Sequence, residues 1–156
     1  MKQAFLTAVC IAFCAAGLAQ TPATANMLGA WKLDPARSSY NPGLPPKSLV
    51  NTITAVDGGL KVVSDGIDAE GKPTHFEWTA KFDGKDYPVK GDPTRDSISI
   101  KKLDDYTLEL TNKKAGKVVN IVHAVYAKDG KSRTETRTGT DAQGRHIENV
   151  TYWVRQ

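Results

Sequence analysis

The three histidines are the residues best suited to acid–base or metal chemistry, and their spacing argues against both. His75, His123 and His146 lie on three different predicted strands, without an H-x-H pair. Zinc and haem sites usually have closer ligand spacings. His123 shares a predicted strand face with Ile121 and Val125. We therefore predict no metal site, and we interpret His123 as a packed or lumen-facing polar group.

The carboxylates form no catalytic set either. Many aspartates fall in turns, where an Asp side chain bonds its own backbone. The sequence contains no G-x-S-x-G, no phosphate-binding loop and no dinucleotide fingerprint. We therefore assign no catalytic residue and expect no cofactor.

The N-terminal residues predict a secretory signal. Lys2 precedes Ala4–Leu18, a run without charge that is too short and too rich in small residues to span a membrane. Ala23–Ala25 provides an A-x-A cleavage site before Asn26, and cleavage after Ala19 is the alternative. Residues 1–25 are thus predicted as signal peptide and residues 26–156 as one domain, located in the periplasm or outside the cell.

Cysteine and charge content limit the possible functions of that domain. Cys10 and Cys14 both lie in the predicted signal, so the mature chain has neither a disulfide nor a reactive thiol. The chain has 21 Lys+Arg against 17 Asp+Glu, and the surplus is dispersed rather than clustered. Nucleic-acid binding favours a basic stripe with aromatic platforms, so we do not expect it. No later stretch is apolar over the ~20 residues of a spanning helix.

Turn signals and period-two patterns predict an all-β fold. Asp-Gly and Gly-Gly pairs recur roughly every 8–15 residues and supply the positive φ angles of tight hairpins. Between them, apolar side chains alternate with polar ones, as in 76–82 and 106–111. The connections are too short for parallel crossovers. We predict an antiparallel up-and-down meander of about eight to ten strands, and we expect it to close into a barrel because closure removes exposed edges.

The strand faces opposite the apolar ones predict a water-soluble barrel rather than a membrane one. A membrane barrel needs an apolar outer face. The predicted outer faces instead carry charged residues: Glu77, Lys81, Glu109, Lys131, Arg133, Glu135 and Arg137. Val118–Ala127 is apolar on both faces and is predicted as the most buried strand.

Two segments depart from the regular pattern. Asp34–Lys47 contains four prolines and is predicted as a long extended loop after the first strand. Lys131–Thr140 has Thr or Ser on one face and charged residues on the other. Two interpretations stay open: the threonine face lines a hydrated or ligand-holding cavity, or the segment is an exposed edge strand protected by its charges.

Gly29-Ala30-Trp31 opens the first predicted strand and resembles the G-x-W motif of lipocalins and of the related fatty-acid-binding proteins. The resemblance implies that Trp31 closes the barrel floor and that a basic side chain from late in the chain packs over it. Arg155 and Arg137 are the candidates. The segment 152–155 also resembles the last strand of fatty-acid-binding proteins. The implied function is to bind a small hydrophobic or amphipathic ligand.

Aromatic side chains with a few polar groups are typical of such ligand pockets. We predict the ligand-binding residues to be Trp31, Phe76, Trp78, Tyr106, Tyr126, Thr136 and Arg137. Two other hypotheses stay open. One is a protein-interaction or inhibitor domain with a filled barrel that displays the proline-rich loop. The other is an isomerase or lyase that uses one lumen histidine, His123.

Overall fold

Ten β-strands make up almost all of the regular structure in the described part of the chain. The structure is a computed structural model and describes residues 22–141 and 143–156. One short helix, α1 (Pro22–Ala25), precedes the strands. The strands are β1 (Gly29–Ser39), β2 (Ser48–Val56), β3 (Gly59–Ile67), β4 (Pro73–Lys81), β5 (Tyr87–Lys90), β6 (Ser97–Lys102), β7 (Thr107–Lys114), β8 (Lys117–Tyr126), β9 (Ser132–Thr140) and β10 (His146–Arg155).

Consecutive strands pair antiparallel, and β1 pairs with β10 to close a barrel. In the closing pair, Trp31 lies opposite Arg155 and Leu33 lies opposite Trp153. The predicted antiparallel meander and its closure are therefore confirmed. A closed ten-stranded antiparallel barrel is compatible with a calycin-like fold.

The alternating pattern places one face of each strand in the core. On β4, Trp78 and Ala80 are buried, whereas Thr79 and Lys81 are exposed. Neighbouring strands add their own inward side chains because the strands are paired in register. The buried core includes Trp31, Leu33, Ile53, Leu60, Val62, Ile98, Ile100, Leu108, Ala124 and Trp153.

Trp31 and Arg155 together close one end of the barrel. Trp31 is fully buried, and its indole N–H donates to the Met27 carbonyl at 2.9 Å. The Arg155 guanidinium lies 4.5 Å from the Trp31 ring and donates to the carbonyls of Asn26, Leu28 and Gly130. Of the two candidate arginines, Arg155 is therefore the one that packs over Trp31.

Gly29 has a steric reason to be glycine at this end. Its φ is +109°, and an added Cβ would lie 2.9 Å from Nη1 of Arg155. A side chain would be strained by the positive φ and would displace the guanidinium from Trp31. The glycine of the G-x-W motif is thus explained by the close approach of the last strand.

The prediction of a loop over Asp34–Lys47 is wrong in its first half. Strand β1 continues through Pro35 to Ser39, with a register shift against β10 between Asp34 and Ser39. The Asp34 carboxylate accepts the backbone N–H groups of Ala36 and Arg37 and so stabilises this bulge. A bulge accommodates proline because it interrupts the ladder. The irregular loop is confined to 40–47, here called the mouth loop.

The predicted faces of β9 are reversed. Arg133, Glu135 and Arg137 point into the barrel, because they pair with Tyr126, Ala124 and Val122, which are buried on β8. The Ser/Thr face, with Thr136, points outward. Neither interpretation of this segment is correct: the threonines do not line the interior, and β9 is paired on both sides rather than at an edge.

The predicted direction of His123 on β8 is also reversed. His123 pairs with Thr136 on the outer face, and its side chain is 48% exposed. Val118 and Val125 on this strand are also exposed, so the expectations of a lumen-facing His123 and of a strand buried on both faces are wrong. An apolar run without alternation did not reveal which set of side chains faces the core.

The predicted signal lies mostly outside the described residues, including Cys10, Cys14 and the alternative cleavage site after Ala19. Within the part of the chain that the structure describes, no helix is long and apolar enough to cross a membrane.

Replacing Arg155 by Ala should lower the free energy of unfolding by about 3 kcal/mol, because it removes three charge-assisted hydrogen bonds and a cation–π contact. Denaturant unfolding measures this change. Arg145→Ala is the matched control, because the exposed Arg145 side chain pairs, among the described residues, only with Asp141 in the β9–β10 turn. It should leave stability nearly unchanged. Equal effects of the two substitutions would contradict the proposed role of Arg155.

Candidate functional site

The barrel encloses an inner cavity with an apolar wall and a charged side. Its volume is about 70 Å³. The apolar wall includes Ile53, Val62, Phe76, Trp78, Leu110 and Val122. The charged side is formed by Arg95 from the turn after β5 and by Arg133, Glu135 and Arg137 from β9. Most of the interior is therefore filled by side chains.

A mouth chamber of about 200 Å³ lies above the inner cavity. The two spaces share Leu49, Phe76 and Trp153 together with the charged residues Arg95, Glu135 and Arg137. The mouth loop contributes Tyr40 and Pro46 to the chamber wall. The inner cavity and the chamber are therefore adjacent spaces with a common wall.

The mouth loop is attached to β10. The backbone N–H of Asn41 donates to Oδ1 of Asn149 at 2.9 Å, and the N–H of Glu148 donates to the Asn41 carbonyl at 2.8 Å. These bonds hold Tyr40 over the barrel. Burial raises the pKa of Tyr40 to about 12, so its hydroxyl is a hydrogen-bond donor at all physiological pH values.

Arg133 is buried among three aromatic rings at the bottom of the charged side. Its guanidinium lies 4.5 Å from the Trp153 ring, 5.4 Å from that of Trp31 and 5.6 Å from that of Tyr126. Nη1 donates to the Tyr126 hydroxyl at 3.1 Å, and Nη2 lies 3.2 Å from Oε1 of Glu135. Nη2 and Nε are buried without hydrogen-bond partners among the described residues, so the contact of Nη2 with Glu135 is an ion pair only.

The charge on Arg133 is nevertheless stabilised. Burial alone acts to lower its pKa, but the Glu135 carboxylate and Tyr126 outweigh burial and raise the pKa above the usual value. The pair therefore places opposite charges on neighbouring inward positions of β9. A buried ion pair of this kind needs both partners, because either alone would be an uncompensated buried charge.

Arg95 is the second buried arginine and enters the barrel from its rim. Its Nε donates to Oδ2 of Asp92 at 2.8 Å, its Nη1 donates to Oδ1 of Asn112 at 2.5 Å, and its guanidinium lies 4.9 Å from the Phe76 ring. Asn112 in turn donates to Oδ1 of Asn120 at 2.7 Å. Burial is the main cause that lowers the pKa of Arg95, and the positive charge of Arg137 is the second. An arginine nevertheless remains charged.

Arg137 occupies the position where the spaces of the barrel meet. It lines the inner cavity and the mouth chamber, as well as an open groove beside the mouth loop. Unlike Arg95 and Arg133, it makes no ion pair or side-chain hydrogen bond with any residue in 22–141 or 143–156. Its positive charge and its N–H donors are therefore available to a bound molecule.

The structure brings together four of the seven predicted ligand-binding residues. Phe76, Trp78, Tyr126 and Arg137 all line the inner cavity. Trp31 is adjacent but belongs to the closed end, where its ring meets that of Tyr126 edge-on at 5.4 Å.

The other two predicted residues lie away from the cavity. Tyr106 precedes β7, and its ring faces the ammonium group of Lys128 at 5.9 Å. Thr136 is on the outer face of β9, next to His123 and Val150. The prediction that Thr136 faces the interior is wrong, because its neighbour Arg137 occupies the inward position.

The histidines make only surface contacts in the described structure. His75 Nδ1 lies 2.6 Å from Asp65 Oδ1, and His123 Nε2 lies 3.4 Å from Glu109 Oε2. Among the described residues, no group of three or more His, Cys, Asp or Glu side chains is arranged to hold a metal ion.

Sequence reasoning missed several polar residues of the site. Arg95 and Tyr40 come from a turn and a loop, whose side-chain directions have no periodic signal. Asn112 and Asn120 did carry a signal: each falls on the inward face of a strand whose other inward residues are apolar, such as Leu108 and Val122. Buried amides at such positions indicate hydrogen-bonded partners inside the barrel.

Comparison with known proteins gives no assignment: no family model matches the sequence, no curated protein is significantly similar to it, and no solved structure matches it significantly.

Tyr40 should make the protein sensitive to alkali. The unfolded chain loses the phenolic proton near pH 10, whereas the folded protein keeps it to about pH 12. Alkaline pH therefore favours unfolding, and about 2 kcal/mol of stability should be lost between pH 10 and 12. Denaturant unfolding of wild type and Tyr40→Phe at pH 8 and pH 11 tests this. The variant should lose less stability than wild type, and equal losses would contradict a buried hydroxyl.

Proposed function

We propose that the protein is an exported, lipocalin-like barrel that binds a small amphipathic ligand. The observation that carries this proposal is the arrangement of the interior: an apolar-walled cavity adjoins a mouth chamber, and the unpaired Arg137 lines both. A pocket with an apolar wall and a few placed polar groups is typical of small-molecule binding.

The small size of the spaces limits the ligand. The inner cavity of about 70 Å³ and the chamber of about 200 Å³ are each below the range of drug-sized pockets. The apolar part of the ligand is therefore short. A molecule with about ten non-hydrogen atoms would bind with a dissociation constant between about 10 µM and 1 mM.

Export to the periplasm or beyond is part of the proposal. It is supported by Lys2, the uncharged run that follows it and the Ala23–Ala25 site. Cleavage after Ala25 would leave intact the bond from Arg155 to the Asn26 carbonyl and the burial of Met27. The mass of the exported protein tests the site, and a chain that retains residues 1–25 outside the cytoplasm would overturn it.

The alternative is a protein-interaction domain with a filled barrel, and the small inner cavity favours it. The mouth loop also exposes Leu44, which is 76% accessible. The two functions differ in one measurable property, because a filled barrel binds no small molecule. The unpaired Arg137 favours the ligand-binding function, because a barrel that binds no ligand leaves the N–H donors of Arg137 without a partner.

A titration with octanol, followed by tryptophan fluorescence, tests ligand binding, because Trp78 and Trp153 line the inner cavity. Ala124 is buried in the cavity wall, so Ala124→Leu should fill the space and weaken binding by about tenfold or more. Thr136→Leu places the same new side chain on the outer face and should leave binding unchanged. Absence of binding in wild type, or equal loss in both variants, would overturn the proposal in favour of the filled barrel.

A further inference from the structure

The free space of the barrel grows from the inside outward. The inner cavity has about 70 Å³, the mouth chamber about 200 Å³ and the open groove, here called the outer groove, about 520 Å³. The outer groove is bordered by the mouth loop, the turn after β5, the start of β8 and the β9–β10 turn; its wall includes Pro42, Thr94, Asn120, Gln143, Ile147 and Asn149. An amphipathic molecule that filled these spaces would have a short apolar end and a larger polar head.

The outer groove has an excess of positive charge. Lys114, Arg137 and Arg145 line it, and Asp141 is the only acidic residue in its described wall. Arg145 is paired with that carboxylate through an Nε–Oδ2 contact of 2.6 Å. Lys114 and Arg137 have no ion-pair partner in 22–141 or 143–156. Two positive charges in the groove are therefore uncompensated.

The uncharged groups of the groove also favour an anion. Oδ1 of Asn149 is occupied by the Asn41 backbone N–H, and Oδ1 of Asn120 is occupied by the Asn112 amide. The side-chain amide nitrogens of Asn149 and Asn120 donate to no other described residue. The side-chain oxygens of these two asparagines are thus in use, whereas their amide N–H donors remain available.

We propose that the ligand carries a doubly charged phosphate-type head group, which binds in the outer groove to Arg137 and Lys114, while its short apolar end passes Arg137 into the barrel. This inference rests on the proposed ligand-binding function. The planar guanidinium of an arginine binds two phosphate oxygens at once, and a lysine adds a point charge. Arg137 is the residue that joins the two parts of the site, because it lines all three spaces.

Three probes with the same alkyl chain and different heads test the proposal: octanol, octanoate and octyl phosphate. At pH 8 a phosphate monoester carries close to two negative charges, because its second pKa is about 6. We expect octyl phosphate to bind about tenfold or more tightly than octanol and several-fold more tightly than octanoate. Tryptophan fluorescence and calorimetry measure the three affinities.

Variants locate the head group. Arg137→Gln should weaken the binding of octyl phosphate about tenfold and change the affinity for octanol by less than about twofold. Lys114→Gln should weaken the binding of octyl phosphate about threefold, because a more exposed charge contributes less to binding. Lys117→Gln is its matched control: Lys117 lies directly opposite Lys114 in the β7–β8 hairpin and is exposed, but it does not line the groove. It should have no effect.

A stability measurement distinguishes the loss of a direct contact with the ligand from loss of binding through misfolding. Arg137 has no described partner that its removal would leave unpaired, and its charge acts to lower the pKa of Arg95. Arg137→Gln should therefore unfold at the same denaturant concentration as wild type or higher. Arg137→Lys should recover part of the affinity for octyl phosphate, because it restores the charge without the planar fork.

Each outcome has a distinct meaning. Equal affinities for octanol and octyl phosphate would overturn this inference and leave the proposed function standing. Octanoate as tight as octyl phosphate would overturn the doubly charged head. Equal effects of Lys114→Gln and Lys117→Gln would show that binding depends on net charge and not on the outer groove. That result would also overturn this inference. Failure of all three probes to bind would overturn the proposed function itself.

Discussion

The pairing of β1 with β10 is the constraint on which the rest of the structure depends. Once Trp31 lies opposite Arg155, every strand has two neighbours and every side chain faces either the interior or the outside. The same pairing brings the Arg155 guanidinium over Trp31 and close to Gly29. Closure leaves the other end, at the mouth loop, as the route into the barrel. The candidate site lies at that end for this reason.

Closure also places Arg133 of β9 and Arg95 from the turn after β5 in a low-dielectric interior, and the barrel stabilises the two arginines in different ways. Arg133 is compensated by Glu135 and by aromatic faces, and Arg95 by Asp92 and a chain of amides. Such groups are costly unless they are paired and hydrogen-bonded. Arg137 is partly exposed and has neither form of compensation among the described residues. The contrast distinguishes arginines that maintain the structure from one whose donors are free.

The functional argument therefore depends on the site and not on the fold. Ten-stranded barrels can be filled or hollow, and a barrel by itself implies no ligand. Here the interior is largely filled, whereas the rim offers more space and more positive charge. That gradient favours a ligand that inserts only a short apolar end. Phe76 and Trp78 line the inner cavity, whereas Trp31 belongs to the closed end and Tyr106 packs near Lys128.

The sequence by itself determined the strands, the turns and the antiparallel meander, because these follow from local alternation and from glycine-containing turns. The resemblance of Gly29-Ala30-Trp31 to the G-x-W motif also implied that Trp31 would meet a late basic residue. Only the tertiary structure decided the faces of β8 and β9. Neither strand has one apolar and one polar face, so alternation defines two sets of side chains but does not say which is inside. The pairing of Arg133 with Tyr126 and of Glu135 with Ala124 makes that decision, because a strand in a closed barrel must follow the register of its neighbours.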